Sequence, residues 1–463
     1  MILAKRRILL FSLCCLLLLS CTLLFAGCRQ SHKDSLQSST IEQLNTANDP
    51  TSTEFTSPSS SLSPASTTAA PVLPAPSYAS EMDEHGAVVH VTIDSSAGWN
   101  VFATDFNTNR AGFAVPLDVC ISGMLSFDGM TFTTLADGFS GRIYGSERME
   151  SDPSEKGVLP AVSGSDGIYG GNDGICGFSD IRAVSDGRSL FGGQTGDLTV
   201  EDLSFCGISY TGESAPSNTW AGILCGDASH LTIQDVLMTG CLFRSLYEQA
   251  PGMLPAVPDC LLTGTADQLT LTRFYAGNCT MVGPGNQGLL FKTVRGDVQA
   301  SSVSLFGCSV TGVYDDYGPE VSLFGFQVGG TAALERLCFY DCRTYGFNVS
   351  TFGWLNGISR MKDIAIEQCS LLAPHGHTVH AGAANLLFAR SNRDNIEPMN
   401  ESAPADLEEP MLDKIRMENV ICSNSQAAFS GKDFDWYAKR GVLIENCLAV
   451  TDGPVARFYQ SKH

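Results

Sequence analysis

Charge is scarce in this 463-residue chain: Asp, Glu, Lys and Arg make up 17% of it, against roughly 25% in ordinary globular domains. Basic residues are scarcer still, 28 Lys and Arg against 49 Asp and Glu, for a net charge of −21. With so few cations to neutralise phosphates, nucleic acid is not expected as a partner, and the charge argues against unaided adsorption to anionic surfaces. Several signatures of chemistry are missing too. There is no His-Glu-x-x-His, no Gly-x-Ser-x-Gly elbow, no phosphate loop and no Cys-x-x-Cys pair, Cys338 and Cys342 coming closest. Long stretches of 3.6-residue periodicity are absent as well. Gly, Thr and Cys interrupt every candidate within about eight residues, which argues against helical solenoids.

The first segment present has the layout of an export signal. Lys5, Arg6 and Arg7 precede an apolar run from Ile8 to Ala26, and the positive flank directs the rest of the chain outward. The run is also long enough to serve as an uncleaved anchor. Phe25-Ala26-Gly27-Cys28 resembles the lipobox of bacterial lipoproteins, with Phe25 where Leu is usual; Leu18-Leu19-Ser20-Cys21 is a weaker second match. The resemblance implies cleavage before Cys28, lipidation of its thiol and attachment to the outer face of a bacterial cell membrane, with the membrane itself as a partner. Residues 28–80 are rich in Ser, Thr and Pro. They cannot bury enough apolar surface to offset their ordering entropy, so a disordered tether is expected.

Beyond residue 80 one loose phrase returns: DLTVEDLSFCGISYTG at 197–212, HLTIQDVLMTGCLF at 230–243, QLTLTRFYAGNCTMVG at 268–283 and VQASSVSLFGCSVTG at 298–312. A short apolar run precedes each, marked by Phe191, Cys225, Thr263, Phe291, Phe324, Phe352, Phe388, Phe429 and Phe458 at intervals of 28 to 41 residues. From marker to cysteine the arc is nearly constant, 15 to 18 residues, except from Phe388 to Cys422, where it is 34 and holds the polar insertion 391–410. The return arc varies freely. One fixed and one variable arc of short strands per repeat predicts an all-β fold, a right-handed parallel β-helix, behind the tether. Turns stacked at about 4.8 Å would span roughly 40 Å from Phe191 to Phe458. The cysteine is then a rung residue facing a narrow core as a small soft hydrophobe. Inward placement and an odd count favour free thiols over disulfides.

Residues 98–145, ending in GFSGRIYG, lead into SLFGG and its neighbours, and Asn278-Cys279 and Asn446-Cys447 form asparagine–cysteine pairs. In these features the chain resembles the GLUG-type β-helical proteins of bacterial surfaces, over roughly residues 98–460. That resemblance implies a fold and a surface setting, and carries no catalytic residues. The expected layout is a signal peptide at 1–27, a tether at 28–80, an N-terminal β capping region at 81–163 and β-helix repeats at 164–463.

Candidate sites are sparse. In APHGHTVHAG, His375, His377 and His380 could bring three nitrogens together for zinc, copper or nickel, although a polar loop clusters histidines equally well. GSDGIYGGNDG is a faint calcium-type glycine–aspartate phrase that reads first as a tight turn. Asp315-Asp316 could act as an acid/base pair, and Arg343, or Arg360 with Lys362, as the base or clamp of a polysaccharide lyase. Trp220, Tyr317, Trp354 and Trp436 are the aromatic candidates for ligand contact. No cofactor is expected, calcium and zinc being the ions these patterns could hold. The function expected is non-catalytic display or adhesion, binding a glycan or a surface protein. The alternatives are a lyase or glycoside hydrolase on the same scaffold, and metal capture by the histidine loop. An enzyme would need carboxylates or bases converging from successive repeats in a groove.

Overall fold

A computed structural model describes residues 77–147, 176–182, 189–212, 222–245, 260–284, 286–313, 320–346, 348–373, 383–384, 387, 390–391, 411–424, 437–451 and 456–459. All belong to the second of the two units into which the chain divides, Leu73–His463. Cys28 and the tether as far as residue 76 lie outside the described residues. The described chain is mostly β, in sheets of eighteen, nine and four strands whose pairings are predominantly parallel. A helical bundle is excluded. No helix among the described residues is long and apolar enough to cross a membrane.

The loose repeat of the sequence is a register of hydrogen bonds. Gln194–Cys206 pairs in parallel with Cys225–Thr239, which pairs with Thr263–Gly277. Val298–Phe306, Ala332–Tyr340, Ser359–Glu367 and Met411–Glu418 come next in order. Alternation then sorts each strand's side chains. Val200, Ile233, Leu271, Ala300, Leu334 and Met361 form one aligned buried column. Their neighbours on either side face outward.

Two rows of left-handed residues bend each repeat. Asp202, Asp235, Arg273, Ser302, Arg336, Asp363 and Lys414, with φ between 50° and 57°, break every long strand at the same place. The second row is Asp180, Gly207, Gly240, Asn278, Gly307, Asp341, Gln368, Asn419 and Asn446. It carries the chain from the large sheet to the nine-stranded one. Gly, Asn and Asp dominate here because they take this conformation at least cost. Part of the first row is held by charge, since Arg273 makes a two-pronged ion pair with the buried Asp235.

The recurring cysteine comes just after that second bend. Cys241, Cys279, Cys308, Cys342, Cys369 and Cys447 form one buried column, completed by Ile208 and Val420. Each thiol donates to a carbonyl of the preceding repeat, as Cys308 does to Ala276 at 3.4 Å and Cys342 to Leu305 at 3.4 Å. Two cysteines of the sequence phrase are not in it. Cys206 pairs beside Thr239 at the end of its strand, two residues before Ile208, and Cys422 pairs beside Leu371 on the next sheet. The thirteen described cysteines are free, ten of them buried. Because Val420 and Ile208 already fill this column, Cys308→Val should change stability by less than about 1.5 kcal/mol. Urea unfolding of the two proteins side by side would show it; a loss of about 3 kcal/mol or more would mean that the column requires sulfur.

The start of the stack is covered. Ser95 caps the helix Ser96–Thr108 by accepting from Gly98 N–H, and the helix buries Trp99, Phe102, Ala103 and Phe106. Ala79–Met82 adds an antiparallel strand to Val89–Ile93, the first of the parallel series. At the far end of the nine-stranded sheet, Ala456–Tyr459 pairs antiparallel with Cys447–Thr451. Terminal strands of this kind protect edges that would otherwise recruit other chains.

Candidate functional site

A groove of about 690 Å³ runs across the outer face of five successive strands, from Thr263–Gly277 to Met411–Glu418. At about 4.8 Å per strand its length along the stack is roughly 19 Å. Two outward columns line it. Thr270, Gln299, Ala333, Arg360 and Met411 make the first; Thr272, Ser301, Glu335, Lys362 and Asp413 make the second. The buried column Leu271, Ala300, Leu334, Met361 lies between them and fixes their spacing. One end of the groove therefore presents hydroxyls and an amide, the other charge.

The charged end is unevenly balanced. Lys362 Nζ sits 2.9 Å from Glu335 Oε1 and 3.9 Å from Asp363, while Lys414 lies 3.6 Å from the other oxygen of Asp363. The hydrogen bond and charge of Glu335 raise the Lys362 ammonium above its ordinary range, with smaller contributions from Asp363 and Asp413. Lys362 is thus held protonated. It can clamp a ligand but is a poor base. Arg360 is exposed, and between the apolar side chains of Ala333 and Met411 it has no ion-pair partner among the described residues.

Of the residues singled out in the sequence, Arg360 and Lys362 line this groove. Arg343 does not: it is exposed on the nine-stranded sheet, 3.3 Å from Asp341. Trp354 is half-buried and packs on Phe326 with ring centroids 5.4 Å apart, outside the groove lining. Trp220, Tyr317, Trp436, Asp315, Asp316, His375, His377, His380 and the glycine–aspartate phrase lie outside the described residues, as does the insertion beyond Ser391. Among the described residues no three His, Cys, Asp or Glu side chains gather closely enough to hold a metal.

Sequence reasoning missed Glu335, Asp413, Gln299 and the Thr270/Thr272 pair. Thr270, Thr272 and Gln299 lie at outward positions of the recurring phrase and Glu335 and Asp413 outside its quoted copies, so each matters only through the register. Aligning the Leu-x-Leu segment of 269–271 with its counterparts one to four repeats later would have gathered them. Comparison with protein-family models, with curated proteins and with solved structures found no match for this chain.

Proposed function

We propose that this chain is a lipid-anchored, surface-displayed right-handed parallel β-helix that binds a linear glycan along the groove without cleaving it. The β-helix reading is supported by unbroken parallel pairing of each long strand with its counterpart one repeat later. Right-handedness rests on the strong preference of parallel crossover connections. Anchoring rests on the lipobox-like Phe25-Ala26-Gly27-Cys28, display on the Ser/Thr/Pro-rich segment behind it. The observation that carries binding is the groove itself. It spans five strands and offers Thr, Gln and Ser side chains at regular intervals. An extended polymer of repeated hydroxyls fits that pattern; a compact small molecule would use a fraction of it.

A catalytic reading has one observation in its favour: Glu335, Lys362 and Asp413 come from three successive strands in one column. The two carboxylates are separated by two strand spacings, roughly 10 Å, just beyond the upper end of the range used by inverting glycosidases. Lys362 stands between them and is committed to Glu335, which favours binding over turnover.

The test is to incubate the full chain with a panel of polysaccharides and measure both retention and new reducing ends. Retention without new ends is expected. Ala333→Trp, which places a large side chain in the middle of the groove on its outer face, should lower retention at least about tenfold while leaving the unfolding midpoint unchanged. New reducing ends would replace this reading with the catalytic one, and retention unaffected by Ala333→Trp would move the ligand elsewhere.

A further inference from the structure

We infer that the groove is selective for a carboxylated glycan, a polymer containing uronic acid, and that Arg360 is the residue that reads its carboxylate; this rests on the binding function proposed above. The argument begins with where charge is already satisfied. In a chain with 49 acidic and 28 basic residues, many surface cations find a carboxylate, although Arg182, Arg244 and Arg336, away from the groove lining, are also exposed without an ion pair among the described residues. Lys362 is on Glu335, Arg416 on Glu367 and Glu418, Arg295 on Asp227 and Asp267, and Arg142 on Glu201. Arg360 is the groove's other cation. Its neighbours along the column are Ala333 and Met411, which offer no carboxylate.

That setting suits a guanidinium to an incoming carboxylate in two ways. Its fork of donors is free for a two-pronged contact. The flanking apolar side chains would be covered by a ligand's sugar rings, lowering the local dielectric and strengthening the contact. The acid excess of the whole molecule opposes this only weakly, because charges more than about 8 Å away are screened at physiological salt. The acids lining the groove, Glu335 and Asp413, lie in the adjacent column, with Lys362 between them. From there they can accept from sugar hydroxyls while Thr270, Thr272, Gln299 and Ser301 meet the next units along the polymer.

The experiment uses the full chain and three probes: oligomers of polygalacturonate, the same oligomers after chemical reduction of their carboxyl groups, and a sulfated glucan. Binding is measured by titration calorimetry at fixed ionic strength. Wild type should favour the carboxylated oligomer over its reduced form by about 10- to 100-fold, the range of a charge-assisted contact. Arg360→Gln should abolish that preference, Arg360→Lys should keep part of it, and Arg343→Gln, on the other sheet, should leave it intact. Equal affinity for the reduced oligomer would overturn the inference while leaving a hydroxyl-reading groove. A preference that survives Arg360→Gln, or tighter binding of the sulfated glucan, would also overturn it. Failure of all three probes to bind would remove glycan binding itself.

Discussion

Trp99→Ala should be among the most destabilising single substitutions in this chain, costing about 3–5 kcal/mol. The indole is fully buried where the helix Ser96–Thr108 covers the start of the stack. Its ring centroid lies 5.0–5.9 Å from those of Phe102, Phe132, Phe178 and Phe191, and its Nε1 donates to the Thr133 carbonyl at 3.0 Å. Alanine would leave a cavity between aromatic walls that cannot all close in, and would remove the donor as well. Trp99→Phe keeps most of the ring contacts and should cost roughly half as much. The loss should also be local at first. In stacked architectures stability is carried by each repeat and its interfaces with neighbours, so an uncovered end frays before the middle. Amide hydrogen exchange should therefore accelerate over Val89–Ile93 and Leu117–Ile121 at denaturant concentrations that leave Ser359–Glu367 protected. Uniform acceleration along the chain would show a single cooperative unit instead. A cost below about 1 kcal/mol would show that the helix packs on the stack without holding it.

One physical distinction separates the features legible in the sequence from those that were not. Buried side chains recur because a parallel stack places the same kind of residue at the same depth in every turn, so the Leu-x-Leu phrases and the cysteine column left a visible period. Mostly β structure with parallel pairing could be read from that period. The bends were half legible. Asn278-Cys279 and Asn446-Cys447 stood out as pairs, but Gln368-Cys369 has the same geometry, with Gln368 at φ 54°. The left-handed position tolerates several residues, so its conformation repeats while its chemistry does not. That tolerance is also why Cys206 was aligned with the column in place of Ile208: a cysteine two residues early mimics the phrase. The groove was nearly invisible, because outward side chains are under no common packing constraint. Thr270, Gln299, Ala333, Arg360 and Met411 share a column without sharing a chemical character. Arg360 and Lys362 stand out in the sequence only as candidate base or clamp residues. Asp413 does not, since the insertion 391–410 hides the register of its strand.

Two buried thiols, Cys225 and Cys447, should make stability depend on alkaline pH. Burial pushes Cys225 up to about 11 from an ordinary value of 9.0, hydrogen bonds from Thr263 and Thr195 opposing it; burial likewise pushes Cys447 up to about 11. A thiol is neutral when protonated, so the folded state holds these protons more tightly than the unfolded chain does. Below about pH 9 both states keep them and stability does not respond. Above it the unfolded chain releases a proton that the folded chain retains, and stability falls by about 1.4 kcal/mol per pH unit for each thiol until the folded group also ionises. Cys225 and Cys447 together should remove roughly 5 kcal/mol by about pH 11, a large share of the roughly 5–15 kcal/mol that usually separates folded from unfolded domains. Cys422, also driven up by burial, and Tyr78, raised to about 12 by burial and by its bond to Asp105, act in the same direction. Urea midpoints measured at half-unit steps from about pH 8 to 11, under reducing conditions, should be level to about 9 and then fall steadily. Cys225→Val should make the fall shallower by roughly 1.4 kcal/mol per unit, which ties the slope to a named group. A flat profile to about pH 11 would mean that water reaches these thiols in the folded protein, and the dry interior that their burial implies would have to be abandoned.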